Sequence, residues 1–185
     1  MKQASYGLLL LVALMLPPVA SFMESIMIVH MHMQMPMLVV AGFFMGRFFQ
    51  ERFPGFFEKW NENGVPGILL FVVVIGYWML PRAMDEALTV PAVEVFKFIS
   101  LPFLAGVPLR DSWGKLSGFG RNLVIGFFTA LIVGMGWLYI MAPDNLCNSY
   151  LVIDQVILGW GYIATAVAFI VYLAYTFFIN PADYE

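Results

Sequence analysis

Charge is scarce in this chain, and so are the residue types that most catalytic sites need. Of 185 residues only 11% are Asp, Glu, Lys or Arg, two are histidine and one is cysteine. A lone cysteine excludes an internal disulfide. There is no glycine-rich phosphate loop, no serine elbow and no CxxC pair, and no basic stripe of the kind that holds nucleic acid, so the sequence implies no nucleic-acid partner. The longest polar stretch, residues 47–64, is too short and too aromatic to bury a core of its own, which leaves one domain, 1–185.

What the chain has in abundance is apolar length. Hydrophobic residues make up 62% of it, and several runs approach the roughly 20 residues that cross about 30 Å of hydrocarbon. The fold class is therefore all-α, a polytopic membrane helix bundle of about six transmembrane helices, in contact with membrane lipid. The spans are drawn at 6–20, 22–46, 65–80, 91–109, 122–142 and 150–179. The fourth is the weakest because it holds Glu94 and Lys97. The first also fits a cleavable secretory signal, with Lys2 ahead of an apolar run and a Pro-Val-Ala close at Ala20. A retained helix stopped at Pro17-Pro18 is the expectation.

Basic residues orient the set. With an even number of crossings, Lys2, Arg47, Arg52, Lys59, Arg110, Lys115 and Arg121 share one side, seven of the nine Lys and Arg. The positive-inside bias then places both termini in the cytoplasm. Residues 47–60, rich in Phe and alternating in charge, read as an interfacial segment on that side.

This topology gathers the unusual polar groups. The second, fourth and sixth spans all start at the outer face, and their starts carry Glu24, His30, His32 and Gln34, then Glu94 and Lys97, then Asp154 and Gln155. Ionisable groups in hydrocarbon are costly and usually face the bundle interior. A simpler account pairs Glu94 with Lys97 at i,i+3 and lets Asp154 and Gln155 cap the last helix.

Both histidines lie in one methionine-packed stretch, Met27-Ile-Val-His30-Met-His32-Met-Gln34-Met35-Pro-Met37. On an ideal helix Met23, Met27, His30, Gln34 and Met37 form a line, while His32 and Met35 look another way. Imidazole nitrogen with thioether sulfur is a ligand set for cuprous copper. The candidate metal residues are His30, His32, Met23, Met27, Met33 and Met37, with Cys147 of the outer loop as a further soft donor. The competing account is helix packing, with Met as gap filler and His as an interhelical hydrogen-bonding link. A bis-histidine haem is excluded, since two imidazoles separated by one residue on one helix do not reach opposite faces of a ring. Pro36 predicts a kink next to His32. The glycines at 134, 136, 159 and 161 predict close approach of the last two helices.

The order of these features resembles the CtaG family of cytochrome oxidase assembly proteins: His30-Met-His-Met-Gln34 running to Ala41, then Leu80-Pro-Arg-Ala-Met-Asp-Glu-Ala-Leu88, then Phe103-Leu-Ala-Gly106, then Asp154-Gln155 with Gly159. The likeness covers most of the chain from His30 onward. It departs at Gln34, where the family pattern has a second histidine, and around the third and fourth spans, where this chain has none. The resemblance implies copper as cofactor and delivery of it to a respiratory oxidase at the outer face of a bacterial inner membrane. The alternative is a non-catalytic accessory subunit of a larger copper oxidase or monooxygenase, with other membrane subunits as partners. A small transporter ranks last, because no internal repeat is visible.

Overall fold

Prolines set the helix boundaries. In the computed structural model, which describes residues 2–178, five helices have Pro in their first two positions, where the missing N–H is one that the helix would leave unpaired anyway. The expected end of the last span at Ile179 and the carboxyl terminus lie outside the described residues. The elements are α1 (Lys2–Met15), α2 (Pro17–Glu24), α3 (Met27–Arg52), α4 (Pro54–Trp60), α5 (Val65–Met79), α6 (Pro81–Thr89), α7 (Pro91–Trp113), α8 (Gly118–Met141) and α9 (Val152–Phe178), with no strand among the described residues. Helices α3, α7, α8 and α9 are each long and apolar enough to cross a membrane, and counting each bent pair as one span raises the number to six.

The bent pairs revise the expected boundaries. The first span does not run straight to Ala20: α1 stops at Met15, ahead of Pro17-Pro18, and α2 turns away by 70°. The second span starts at Met27 rather than Phe22 and continues to Arg52. Helix α4 then lies at 86° to α5. The connection after α5 is not an open loop but the short helix α6.

Two long helices carry π-helical turns, at His30–Gln34 in α3 and Ser100–Gly106 in α7. Each is followed within two residues by a proline, Pro36 and Pro108, whose ring would clash with the carbonyl four residues back in a regular helix. Widening the turn relieves that clash. Instead of a sharp kink, the amide of Met35 reaches back five residues to the carbonyl of His30, and that of Val107 to Pro102.

The core is the contact between these two helices. A Cβ on Gly42 would lie 1.9 Å from the Pro102 carbonyl oxygen, and one on Gly106 would lie 2.3 Å from that of Val39, so only glycine permits this approach. Around it Met27, Leu38, Ala41, Trp78, Leu101 and Ala105 are buried. Trp78 keeps its indole satisfied by donating to Ser100 Oγ at 2.9 Å.

Helices α8 and α9 pair as a hairpin through Gly136 and Gly159, where a Cβ on Gly159 would meet the Gly136 oxygen at 2.9 Å. Gly134 faces open space, and Gly161 faces Ile28 of α3 instead. The hairpin leans on the remaining bundle loosely. Only 17% of the most apolar window of α8 and 22% of that of α9 is buried, against 50% for α3 and α7.

At the end of the bundle near Arg47, Asn61 ties three helices together. Its Nδ2 donates to Asp111 Oδ2 (2.6 Å) and Ser112 Oγ (2.9 Å), its Oδ1 accepts from the Gly67 amide (2.9 Å), and Lys115 Nζ bridges Asp111 and the Asn61 carbonyl. This buried network anchors the turn between α4 and α5 to the end of α7.

Candidate functional site

The break between α2 and α3 delivers Glu24 to the start of α3, and there it meets α7. Lys97 is fully buried and its Nζ lies 2.5 Å from Glu24 Oε1, while Glu24 retains 14% exposure. The i,i+3 neighbour Glu94 is half-buried and is not the bonded partner, so the pairing expected within α7 is made across helices instead. Gln34 joins weakly, donating to Glu24 Oε1 at 3.4 Å, and its buried Oε1 accepts no hydrogen bond among the described residues.

His30 sits inside this cluster with both ring nitrogens engaged. Tyr150 donates its only hydroxyl proton to the Glu24 carbonyl at 2.6 Å. The contact between Tyr150 OH and His30 Nδ1, 3.0 Å, therefore requires Nδ1 to carry the proton. Nε2 is then the ring's lone-pair nitrogen, and it faces the Lys97 ammonium at 3.4 Å. A cation placed at Nε2 would have to displace one already there.

His32, two residues on, is directed elsewhere by the π turn. Thr165 of α9 lies 3.1 Å from the Gly161 carbonyl and 2.9 Å from His32 Nε2; with its proton on the carbonyl, that nitrogen is the donor. No carboxylate pairs with the ring. In its neutral form Nδ1 is a lone pair with no donor among the described residues. The ring packs on Tyr162, with centroids 5.5 Å apart. It lines a partly open cavity of about 630 Å³ bounded by α3, α5, α7, α8 and α9. Met31, Met35 and Met79 line the same cavity.

The remaining expected residues are dispersed. The line of Met23, Met27, His30, Gln34 and Met37 does not exist as such, because Met23 belongs to α2 and the π turn shifts the phase of everything after His30. Met27 is wholly buried in the core and Met23 nearly so, Met37 is half-buried, and Met33 points outward with 53% exposure. Asp154 accepts from the Leu151 amide at 3.3 Å and caps its own helix, as the simpler account expects. Gln155 does more: buried, it accepts from the Leu146 amide (2.8 Å) and donates to the Tyr139 carbonyl (3.2 Å), which ties the loop between α8 and α9 to the end of α8.

Cys147 is buried in that loop, with Sγ 3.7 Å from the Pro81 carbonyl. Burial, and then the negative charge of Asp85, push its thiol up to about 11. Tyr150 is raised above its ordinary range as well, by burial first and by Glu24 second. Asp85 anchors the loop from α6, accepting from the Ser149 amide (2.9 Å), the Ser149 hydroxyl (2.5 Å) and Asn148 Nδ2 (3.2 Å).

Among the described residues no three His, Cys, Asp or Glu side chains converge as a metal-binding group. For a soft ion the donor chemistry nevertheless differs between the two histidines. His30 does not fit, because its lone pair meets an ammonium. At His32 no ammonium faces the ring, and Met31, Met35 and Met79 line the same cavity. Sequence reasoning missed Tyr150, Thr165, Met31, Met35 and Met79. The signal available for Met35 was phase, since His32 and Met35 share a face on an ideal α-helix.

These features define an all-α, multi-pass membrane protein with a polar knot at one end of the bundle and an apolar cavity beside it. Comparison with protein-family models, curated proteins and solved structures finds no match.

Proposed function

We propose that this chain is a non-catalytic protein of the bacterial cytoplasmic membrane, with both termini in the cytoplasm, that handles cuprous copper for assembly of a respiratory oxidase. The observation that carries the reading is His32, which has no partner for Nδ1 among the described residues and which lines a cavity together with Met31, Met35 and Met79. One imidazole and neutral thioethers favour Cu(I) by softness, and without a thiolate they hold it loosely enough for release. His30, Glu24, Lys97 and Tyr150 hold α2, α3, α7 and the outer loop in register beside this site. Met23, Met27, Met37 and Cys147 serve packing, while Met33 points outward. The ordered features shared with the CtaG family support the same direction.

Anaerobic titration of detergent-purified protein with Cu(I), against a chromophoric chelator, tests it. One bound ion is expected in wild type and in His30→Ala, and none in His32→Ala. Equal copper in wild type and His32→Ala ends this reading.

A second reading is favoured by the loose α8–α9 hairpin, whose outward Phe127, Trp137 and Trp160 remain exposed. In it the chain is an accessory subunit and the hairpin packs on other membrane subunits of a copper oxidase or monooxygenase. Co-purification of a stoichiometric membrane partner in mild detergent supports it, and an isolated monomer counts against it.

A further inference from the structure

The cavity beside His32 is far larger than an ion requires. On α3 its lining runs from Met31 to Phe43, which at about 1.5 Å per residue is roughly 18 Å along the helix. Its volume of about 630 Å³ falls in the range of pockets that enclose a ligand of moderate size, roughly 300–1,000 Å³. The walls are apolar and partly aromatic, including Phe71, Trp78, Phe128 and Tyr162. At the His32 end the Thr165 hydroxyl is already committed to Gly161 and to His32. What remains of the imidazole is an acceptor without a donor.

We propose that this cavity binds a lipophilic phenol or hydroquinone, its tail running along α3 toward Phe43 and its hydroxyl donating to His32 Nδ1. The chemistry of the walls selects this class. A phosphate headgroup would bring negative charge and acceptors to a cavity with no Lys or Arg in its lining. An alkyl chain alone leaves the imidazole lone pair unmet in an apolar setting, which carries a desolvation penalty. An ether or carbonyl at that point sets lone pair against lone pair. A phenolic ring supplies the missing donor and a flat face for the aromatic walls. The ligand and a cuprous ion would compete for the same nitrogen, so the proposal is tested in copper-free protein and stands or falls independently of metal binding.

The probes are a phenol carrying a ten-carbon tail with a terminal diazirine, and its methyl ether, identical in shape but without the donor. Each is photo-crosslinked to the full chain in phospholipid nanodiscs, with 4-decylphenol as unlabelled competitor, and the sites are mapped by mass spectrometry. Saturable labelling on α3, α5 or α8 around Val39, Ile75 and Phe128 is expected, with the phenol retained about fivefold better than the ether, the worth of one hydrogen bond. Thr165→Val, which leaves the imidazole in place but frees its Nε2 proton to move to Nδ1, should narrow that difference, and His32→Leu should abolish it. Ile132→Trp, filling the cavity, should remove both signals. Equal retention of the two probes in wild type overturns the proposal without reliance on any variant. So does non-saturable labelling spread over the outward faces of α8 and α9.

Discussion

The ammonium of Lys97 and Nε2 of His30 face each other at 3.4 Å across 67 residues of sequence. That one relationship separates the two histidines by role. The imidazole best placed by burial is held as a hydrogen-bonded strut. The less buried one at position 32 keeps the available lone pair. The same contact joins the helices that carry the two π turns, so the wide turns and the polar knot form one unit.

Removing the cation should therefore cost stability. Lys97→Met leaves Glu24 without its partner, and breaking a buried pair on one side typically costs 3–5 kcal/mol. Because Glu24 retains some access to solvent, a loss of about 3 kcal/mol at the low end of that range is expected. It is measured by unfolding in detergent. The double variant Glu24→Gln with Lys97→Met should lose clearly less than the sum of the singles. Additive losses would show that the pair is not coupled.

Contact between α3 and α7 sets a second expectation. Gly42→Ala puts a methyl group into the Pro102 carbonyl, 1.9 Å from its oxygen. Since the obstruction is backbone rather than the end of a flexible side chain, the helices must separate, and a loss of about 2–3 kcal/mol is expected. Gly134→Ala, on the open face of α8, should be neutral or slightly stabilising, because Ala is the better helix former. Equal effects at the two positions would contradict the packing described.

Much of the architecture is legible in the sequence, because apolar length and Pro placement determine spans and breaks directly. The approach of Glu24, His30 and Gln34 to Lys97 is legible in part, since the sequence marks all four as polar groups near helix starts. Partner choice is not. Lys97 selects Glu24 over Glu94 because α2 turns by 70° and returns its last residue to α7, a bend that sequence marks only as Pro17-Pro18. Ideal 3.6-residue periodicity also fails across His30–Gln34, where a π turn advances the register and separates Met37 from the line drawn through His30. A proline predicts disturbance there, but not that it takes the form of a wider turn.

Cys147 offers a third test. With the thiol pushed up to about 11 by burial and by Asp85, roughly a thousandth of it is thiolate at pH 8. Alkylation by iodoacetamide in folded protein should be at least 100-fold slower than in denatured protein, roughly the combined effect of fewer thiolates and poor access. The rate should rise about tenfold per pH unit until near pH 11. Cys147→Ser should leave the copper content of purified protein unchanged. Rapid alkylation at neutral pH, or loss of copper in the serine variant, would instead assign the thiol a ligand role.

Asp85 links the loop between α8 and α9 to pH. Burial works to raise its carboxyl, but the donors from Ser149 and Asn148 outweigh it and hold the group below the ordinary carboxylate range. A carboxyl with a depressed value in the folded protein stabilises the ionised form. Its contribution is fully present above the unfolded value, about 3.9, and is lost as pH falls through the folded one. Hydrogen exchange at the Ser149 amide, corrected for the intrinsic rate, should show protection that is constant above about pH 5 and declines only below about pH 4. Asp85→Ala removes the acceptor, so protection there should be low at neutral pH and nearly flat with acid. Protection that survives the alanine substitution would mean that the loop is held by Gln155 and Tyr150 alone, with Asp85 making no contribution to its order.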